Sequence, residues 1–264
     1  FNLDISQRLS QIGGKGKVIS FFLKWSLRQG FVIVQNSDDK RWLSQLGLSL
    51  NRMRMIRGAG VDIKSFQSRP TLIQSKSPIV ILISRMLRDK GVVEFVESAR
   101  KLQTLGLSAR FVLVGNPDPA NRSSLSTEEL KVWHNEGIIE WWGQIDDVAT
   151  CLSQADIACL PSYREGMPKT LIEACAIGRP IVTTTAIGCR ECVDEGVNGF
   201  KVPVKSSEAL ANAIQKLVMD SALRQQMGTA SRKKAEAEFD QKQVIAKHLS
   251  IYNALFNEKN SNNG

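Results

Sequence analysis

A chain of 264 residues, 42% of them hydrophobic and 19 of them glycine, is long enough for one large or two modest domains and has the composition of a soluble globular α/β protein. No apolar run approaches the ~20 residues that span a bilayer, and no secretory signal is visible. The net charge of +9 implies an acidic partner, and without a helix-turn-helix pattern, zinc finger or aromatic-studded RNA-binding strand, nucleic acid fits worse than anionic lipid or a phosphorylated substrate.

In chain order, residues 1–14 are polar and include Gly13-Gly14. A basic, aromatic-rich helix is predicted over 15–29, with Lys15, Lys17, Lys24 and Arg28 among Phe21, Phe22, Trp25 and Leu27. It can lie on a membrane surface or form a core helix with a basic outer face, and the nearly continuous apolar run from Val18 to Leu23 favours the core. A strand over 31–35 follows. Ser37-Asp38-Asp39 is expected to cap a short helix that stops at Gly47, and a second strand over 52–56 leads to Gly58-Ala59-Gly60-Val61-Asp62. The polar stretch 64–77, with Pro70 inside it and Pro78 beyond, marks a domain boundary.

From Pro78 the pattern alternates. Strands are predicted at 79–84, 109–114, 138–141, 156–161 and 180–184, and helices at 90–106, 126–136, 146–154 and 168–177. That alternation argues for a doubly wound parallel α/β sheet, whose ligands bind beyond the carboxyl ends of the strands. Ser84-Arg85, Gly115-Asn116, Trp142-Gly143-Gln144, 162–168 and 183–188 all fall at those ends. After Gly199, helices are expected at 206–219, 221–237 and 240–256, followed by a polar tail.

The stretch 161–174 carries the most chemistry. It reads as the end of a buried strand, a Gly-Pro loop and a helix N-terminus, with Pro168 in the first helical turn. Backbone amides of Gly166, Met167, Lys169 and Thr170 would form an anion site there. Glu165 lies in the loop, and Glu173 lies about five residues inside the helix, ~7.5 Å further along its axis. A ligand with a phosphate centre and hydroxyl-rich groups on both sides fits, since carboxylates accept hydrogen bonds from hydroxyls. A nucleotide diphosphate sugar has that shape. The same carboxylates also suit the acid and nucleophile or base of a glycoside hydrolase.

Glu165 and Glu173 stand as E-x7-E inside E-G-M-P-K-T-L-I-E-A, flanked by Pro161-Ser162 and Gly178-Arg179-Pro180-Ile181-Val182. This resembles the donor-site signature of the family-4 retaining glycosyltransferases. The resemblance implies the two-domain GT-B architecture, with 78–239 as the Rossmann-like donor-binding domain, 67–77 as linker, 1–66 as a remnant of the acceptor-side domain, and 240–264 as a C-terminal helix and tail. The family's Gly-rich acceptor-side opening has no counterpart, so the chain reads as a fragment. Glu165 and the following amides would hold the transferred sugar, and Glu173 the ribose. Arg85 and Lys90 would match the basic pair that holds the diphosphate and neutralises its growing charge. Arg88 falls outside the site. Gly143, Gln144 and Ile145 would meet the base, while 184–188 replaces a Gly-rich loop of relatives and makes its donor contact doubtful.

The resemblance further implies a metal-independent enzyme without cofactor, taking a sugar from a UDP-sugar to a saccharide or polyprenyl-diphosphate-linked saccharide. Its place would be the cytoplasmic face of a bacterial membrane, with anionic lipid as a surface partner, in lipopolysaccharide, O-antigen or capsule synthesis. A sugar-nucleotide epimerase fits the E-G-M-P-K-T-L-I-E run less well, and a hydrolase has no use for the basic pair. A nucleotide-binding piece without transfer activity is the main alternative. His134 and His248 have no paired Ser, Cys or Asp and read as surface or capping residues. Cys151, Cys159, Cys175, Cys189 and Cys192 are odd in number, and the expectation is a reduced, cytosolic protein. Cys189 and Cys192 form a C-x2-C without a second pair or nearby His, so no zinc site is expected.

Overall fold

The computed structural model describes residues 21–22, 25–27, 30–67 and 77–261, the last four as backbone alone. They fall into two compact units, one formed by residues up to Gly58 together with those from Val244 onward, the other by Ala59–Gln243.

In the smaller unit, β1 (Val32–Val34) pairs in parallel with β2 (Met53–Met55), Val32 opposite Met53. Helix α1 (Ser37–Gln45) lies between them in sequence, and Val34, Leu43, Leu48 and Met53 form a small core. The cap is Asn36, one residue before the expected trio. Its side chain accepts from Asp39 N–H at 2.8 Å and donates to the Asp39 carboxylate at 2.9 Å. Residues 21–22 and 25–27 are helical, yet Phe21, Phe22 and Trp25 are exposed, so these rings are not the core expected of them. Lys15, Lys17, Lys24 and Arg28 lie outside the described residues, as do 68–76 of the polar stretch.

The larger unit is the doubly wound sheet. Its strands are β3 (Ile79–Ile83), β4 (Arg110–Val114), β5 (Glu140–Trp141), β6 (Ile157–Leu160), β7 (Ile181–Thr184) and β8 (Gly199–Val202). They run in the order β5-β4-β3-β6-β7-β8, every pairing parallel. Its helices are α2 (Val92–Thr104), α3 (Thr127–Asn135), α4 (Val148–Gln154), α5 (Lys169–Ile177), α6 (Ser207–Met219) and α7 (Ser221–Lys234). The β-branched run Ile79-Val80-Ile81-Leu82-Ile83 suits a strand covered on both sides. Its alternation sends Val80 and Leu82 into a layer with α2, α3 and α6, and Ile81 into the opposite layer with α4 and α5. The winding direction reverses between β3 and β6, and the crevice at such a reversal is where open α/β sheets bind ligands.

Boundaries shift where local hydrogen bonding intervenes. β5 begins late because Gly137 and Ile138 N–H still close the end of α3, on His134 and Trp133 carbonyls. α2 starts only after a tight turn, Arg88–Lys90, and Gly91 at φ 73°. Pro168 is the N-cap of α5 and not part of its first turn. The helix expected over 221–237 ends at Lys234 and passes into a π-helical turn, Ala235–Phe239. The last helix, α8 (Gln241–Ser261), runs longer than the expected 240–256.

Candidate active site

The loop after β3 is stitched to the loop after β4. Met86 N–H donates to Asn116 O and Arg88 N–H to Ser123 O, while Leu125 N–H returns to Met86 O. Gly115 permits this approach, because a Cβ there would lie 1.9 Å from Ser84 O. Between these loops, the start of β5's trailing loop and the start of α5 is a cleft of about 420 Å³, lined among others by Arg85, Asn116, Asp118, Gln144, Ile145 and Thr170. The Arg85 guanidinium reaches Asp118 at 2.6 Å.

The loop after β6 is held from both sides. On one side Gly91 packs under Pro161, whose carbonyl would stand 2.1 Å from an added Cβ. Tyr163 N–H donates to Asp89 O at 2.9 Å, and its hydroxyl donates to Glu94 at 2.6 Å. Burial, and then Glu94 beside it, push the phenol's pKa upward. On the other side Thr184 Oγ1 donates to Ser162 O at 2.5 Å, and Glu165 N–H donates to Ile187 O at 3.0 Å. The 184–188 segment thus supports Glu165 through its backbone. Lys90 Nζ lies 2.5 Å from Glu165 Oε1, the two side chains only 20% and 11% exposed.

Helix α5 begins without a side-chain cap, and its first N–H groups have no acceptor within the helix. Together with the helix dipole they give that end anion-binding character, and Thr170 brings it to the cleft wall. From Leu171 to Ile177 every residue is buried, Glu173 included. Burial raises the Glu173 pKa, and Lys169 at 3.4 Å pulls it the other way. A carboxylate so placed calls for hydrogen-bond donors, which ligand hydroxyls can supply.

Of the expected site residues, Arg85, Gln144, Ile145 and Thr170 meet at the cleft, and Lys90 and Glu165 meet each other. Gly166 is buried and Met167 packs against the apolar layer of α5. Gly143 enters through its backbone, its carbonyl accepting Gly115 N–H at 2.7 Å. Trp141 and Trp142 point to opposite layers of the sheet, their indole N–H groups donating to Gly115 O and to Glu140. Arg88 pairs with Glu129 at 2.5 Å. His134 Nδ1 accepts from Trp141 N–H at 3.3 Å, joining α3 to β5, and the ring of His248 sits over its own helix beside Tyr252. The cysteines are free and buried, and among the described residues no group of three or more His, Cys, Asp or Glu could hold a metal ion. Pro117, Asp118 and Pro119 form the part of the wall that sequence reasoning missed. Its one signal was an acid two residues beyond Gly115-Asn116, at a strand's carboxyl end.

Comparison with known proteins adds to this geometry. Residues 63–234 match the family described as glycosyl transferases group 1. The N,N'-diacetylbacillosaminyl-diphospho-undecaprenol alpha-1,3-N-acetylgalactosaminyltransferase of Campylobacter jejuni is 32% identical, over 88% of this chain and 62% of its own. The capsular polysaccharide biosynthesis glycosyltransferase CapM of Staphylococcus aureus is 23% identical, over 86% of this chain and 59% of its own. The chain therefore spans about three fifths of the length of these curated relatives. Among solved structures, Anabaena HepE in complex with UDP has a TM-score of 0.73 at 23% identity, covering 84% of this chain and 64% of that one. Sucrose-phosphate synthase from Thermosynechococcus elongatus has a TM-score of 0.77 at 24% identity, covering 92% and 62%. At these identities the solved structures speak to the fold, which is that of the GT-B glycosyltransferases. Because the family match takes in most of the larger unit, and with it both carboxylates and the cleft, the chain belongs to the group 1 glycosyl transferases.

Proposed function

We propose that the larger unit binds the nucleotide diphosphate sugar, a UDP-sugar, of a retaining glycosyltransferase. The whole protein then passes the sugar to a saccharide or polyprenyl-diphosphate-linked saccharide during bacterial surface polysaccharide assembly. The observation that supports this most is the Lys90–Glu165 pair, which joins a residue assigned to the diphosphate and one assigned to the sugar across the β3/β6 crevice.

In this reading the bond between the anomeric carbon and the diphosphate oxygen breaks as the acceptor hydroxyl oxygen bonds to the same face of the sugar, its proton passing to the departing diphosphate. Negative charge grows on the leaving diphosphate, and Arg85, Lys90 and the first amides of α5 stabilise it where it forms. Those groups make a divalent metal unnecessary. Glu165 holds the sugar and Glu173 the ribose. The basic residues argue against a glycoside hydrolase, which has no diphosphate to hold. The relatives' names support the acceptor class, since the Campylobacter enzyme's name carries an undecaprenol-linked diphosphosaccharide and the Staphylococcus one capsule synthesis.

A peripheral position on the inner face of the membrane belongs to the same proposal. It draws on the +9 charge and on the exposed rings of Phe21, Phe22 and Trp25, while no described helix is long and apolar enough to cross a bilayer. Calorimetry with UDP, with and without chelator, tests the donor site. Binding that survives chelation is expected. No binding overturns the donor assignment, and binding lost to chelator overturns metal independence.

A further inference from the structure

Each basic residue assigned to the donor site already has a carboxylate partner: Arg85 has Asp118 at 2.6 Å, Lys90 has Glu165 at 2.5 Å, and Lys169 has Glu173 at 3.4 Å. An entering diphosphate meets neutralised cations, so at least one pair must exchange partners. Burial decides which. Separating Lys90 from Glu165 would leave a charge uncompensated in a largely buried place. Drawing Lys169 away would do the same to Glu173, which is 5% exposed. Arg85 and Asp118 are 59% and 29% exposed, so solvent takes up both charges when they part, and such pairs contribute little.

Geometry favours the same exchange. Asp118 takes up only one terminal nitrogen of Arg85, whereas the guanidinium fork can meet a phosphate through two parallel hydrogen bonds. Both residues line the cleft. Asp118 is tied to its own loop, its N–H donating to Ser124 Oγ at 2.9 Å and its carbonyl accepting Asn121 N–H at 2.8 Å. When Arg85 turns away, the carboxylate stays on the wall.

We propose that Asp118 tunes the affinity of the donor site: it is the counter-ion that the donor's diphosphate displaces from Arg85. Its fixed negative charge competes with the diphosphate for the guanidinium, so it lowers the affinity of diphosphate ligands and leaves that of uncharged ones unchanged. No covalent bond changes, and one ion pair replaces another. This rests on the donor reading above.

UDP and uridine are titrated against the full chain as wild type, Asp118→Asn, Arg85→Gln and the double variant, at low and high salt, with Asp118→Ser as a second uncharged variant should the first fold poorly. The expected result is UDP binding about two- to fivefold tighter in Asp118→Asn at low salt, the size a part-exposed pair would give. The gain shrinks as salt rises, vanishes in the Arg85→Gln background, and does not extend to uridine. UDP binding equal to or weaker than wild type, or a gain that persists without Arg85, overturns the proposal. Wild type that binds UDP without that gain removes this inference alone, whereas wild type that binds no UDP removes the donor reading and the inference together.

Discussion

Lys90 Nζ stands 2.5 Å from Glu165 Oε1 and joins loops 75 residues apart in the chain. The pair locks the loop after β3 to the loop after β6. Removing one partner from a largely buried pair is costly, so Lys90→Met is expected to lower unfolding stability by about 3 kcal/mol. Glu165→Gln, which keeps an acceptor for the ammonium, should cost less. It should also spare UDP affinity while cutting turnover of the full-length enzyme. Denaturant melts and UDP titrations of the two variants check this; equal stability losses would mean that the pair is solvated.

Glu173 should set stability against binding. Burial raises its pKa, so between the ordinary carboxyl range and the raised value the folded chain holds a proton that the unfolded chain has released. Stability therefore falls as pH rises through that window, and the cost stays in place above it. Glu173→Gln is expected to flatten that slope and to stabilise the chain at neutral pH. It should weaken nucleotide binding by about 1.5–3 kcal/mol through loss of a charged hydrogen-bond acceptor. Urea midpoints measured across pH, beside UDP titrations, would show whether the two effects oppose each other.

Gly188 should not tolerate a side chain. Its φ is 80°, and a Cβ would lie 2.3 Å from Glu165 O and 2.6 Å from Gly166 O. Gly188→Ala is expected to cost about 1–3 kcal/mol by overpacking and to displace the Glu165 loop. Turnover should fall by more than the stability loss explains. Wild-type melting and wild-type turnover in this variant would contradict the close packing described here.

Membrane association is checked by sedimentation with vesicles. Binding to anionic but not neutral vesicles, declining as salt rises, is expected of the full-length protein, with each basic residue near the surface contributing roughly 1 kcal/mol. Indifference to anionic vesicles at low salt would remove the membrane part and leave the donor site as argued.

The larger unit was legible because its signals are local. Ile79 to Ile83 is a β-branched run of strand length, Gly178 and Pro180 close α5, and alternation of such segments dictates a parallel sheet. Glu165, Glu173, Arg85 and Lys90 could be named because motif and strand end coincide. What pairs with what could not be read. Lys90 meets Glu165 and Arg85 meets Asp118 only through folding, and nothing in either local sequence specifies a partner 75 or 33 residues away. The supporting role of 184–188 was hidden for a related reason, since it works through backbone atoms and the freedom of Gly188. Asn36 was missed as cap because Ser37, Asp38 and Asp39 are all plausible caps in its neighbourhood.

The bridge between Val61 and Asp240 ties together the first and last segments of the larger unit. Val61 N–H donates to Phe239 O at 2.8 Å and Gln241 N–H to Val61 O at 3.0 Å, while Arg232 holds the carbonyl of Phe66 at 2.6 Å. A domain whose ends already touch can have them fused by a short peptide at little entropic cost. The opening can then be moved to an exposed turn such as Gly106 or Gly137, where an added Cβ would meet nothing within 4 Å. Such a rearranged chain would keep every strand pairing of the sheet while reversing which loops are made first during synthesis.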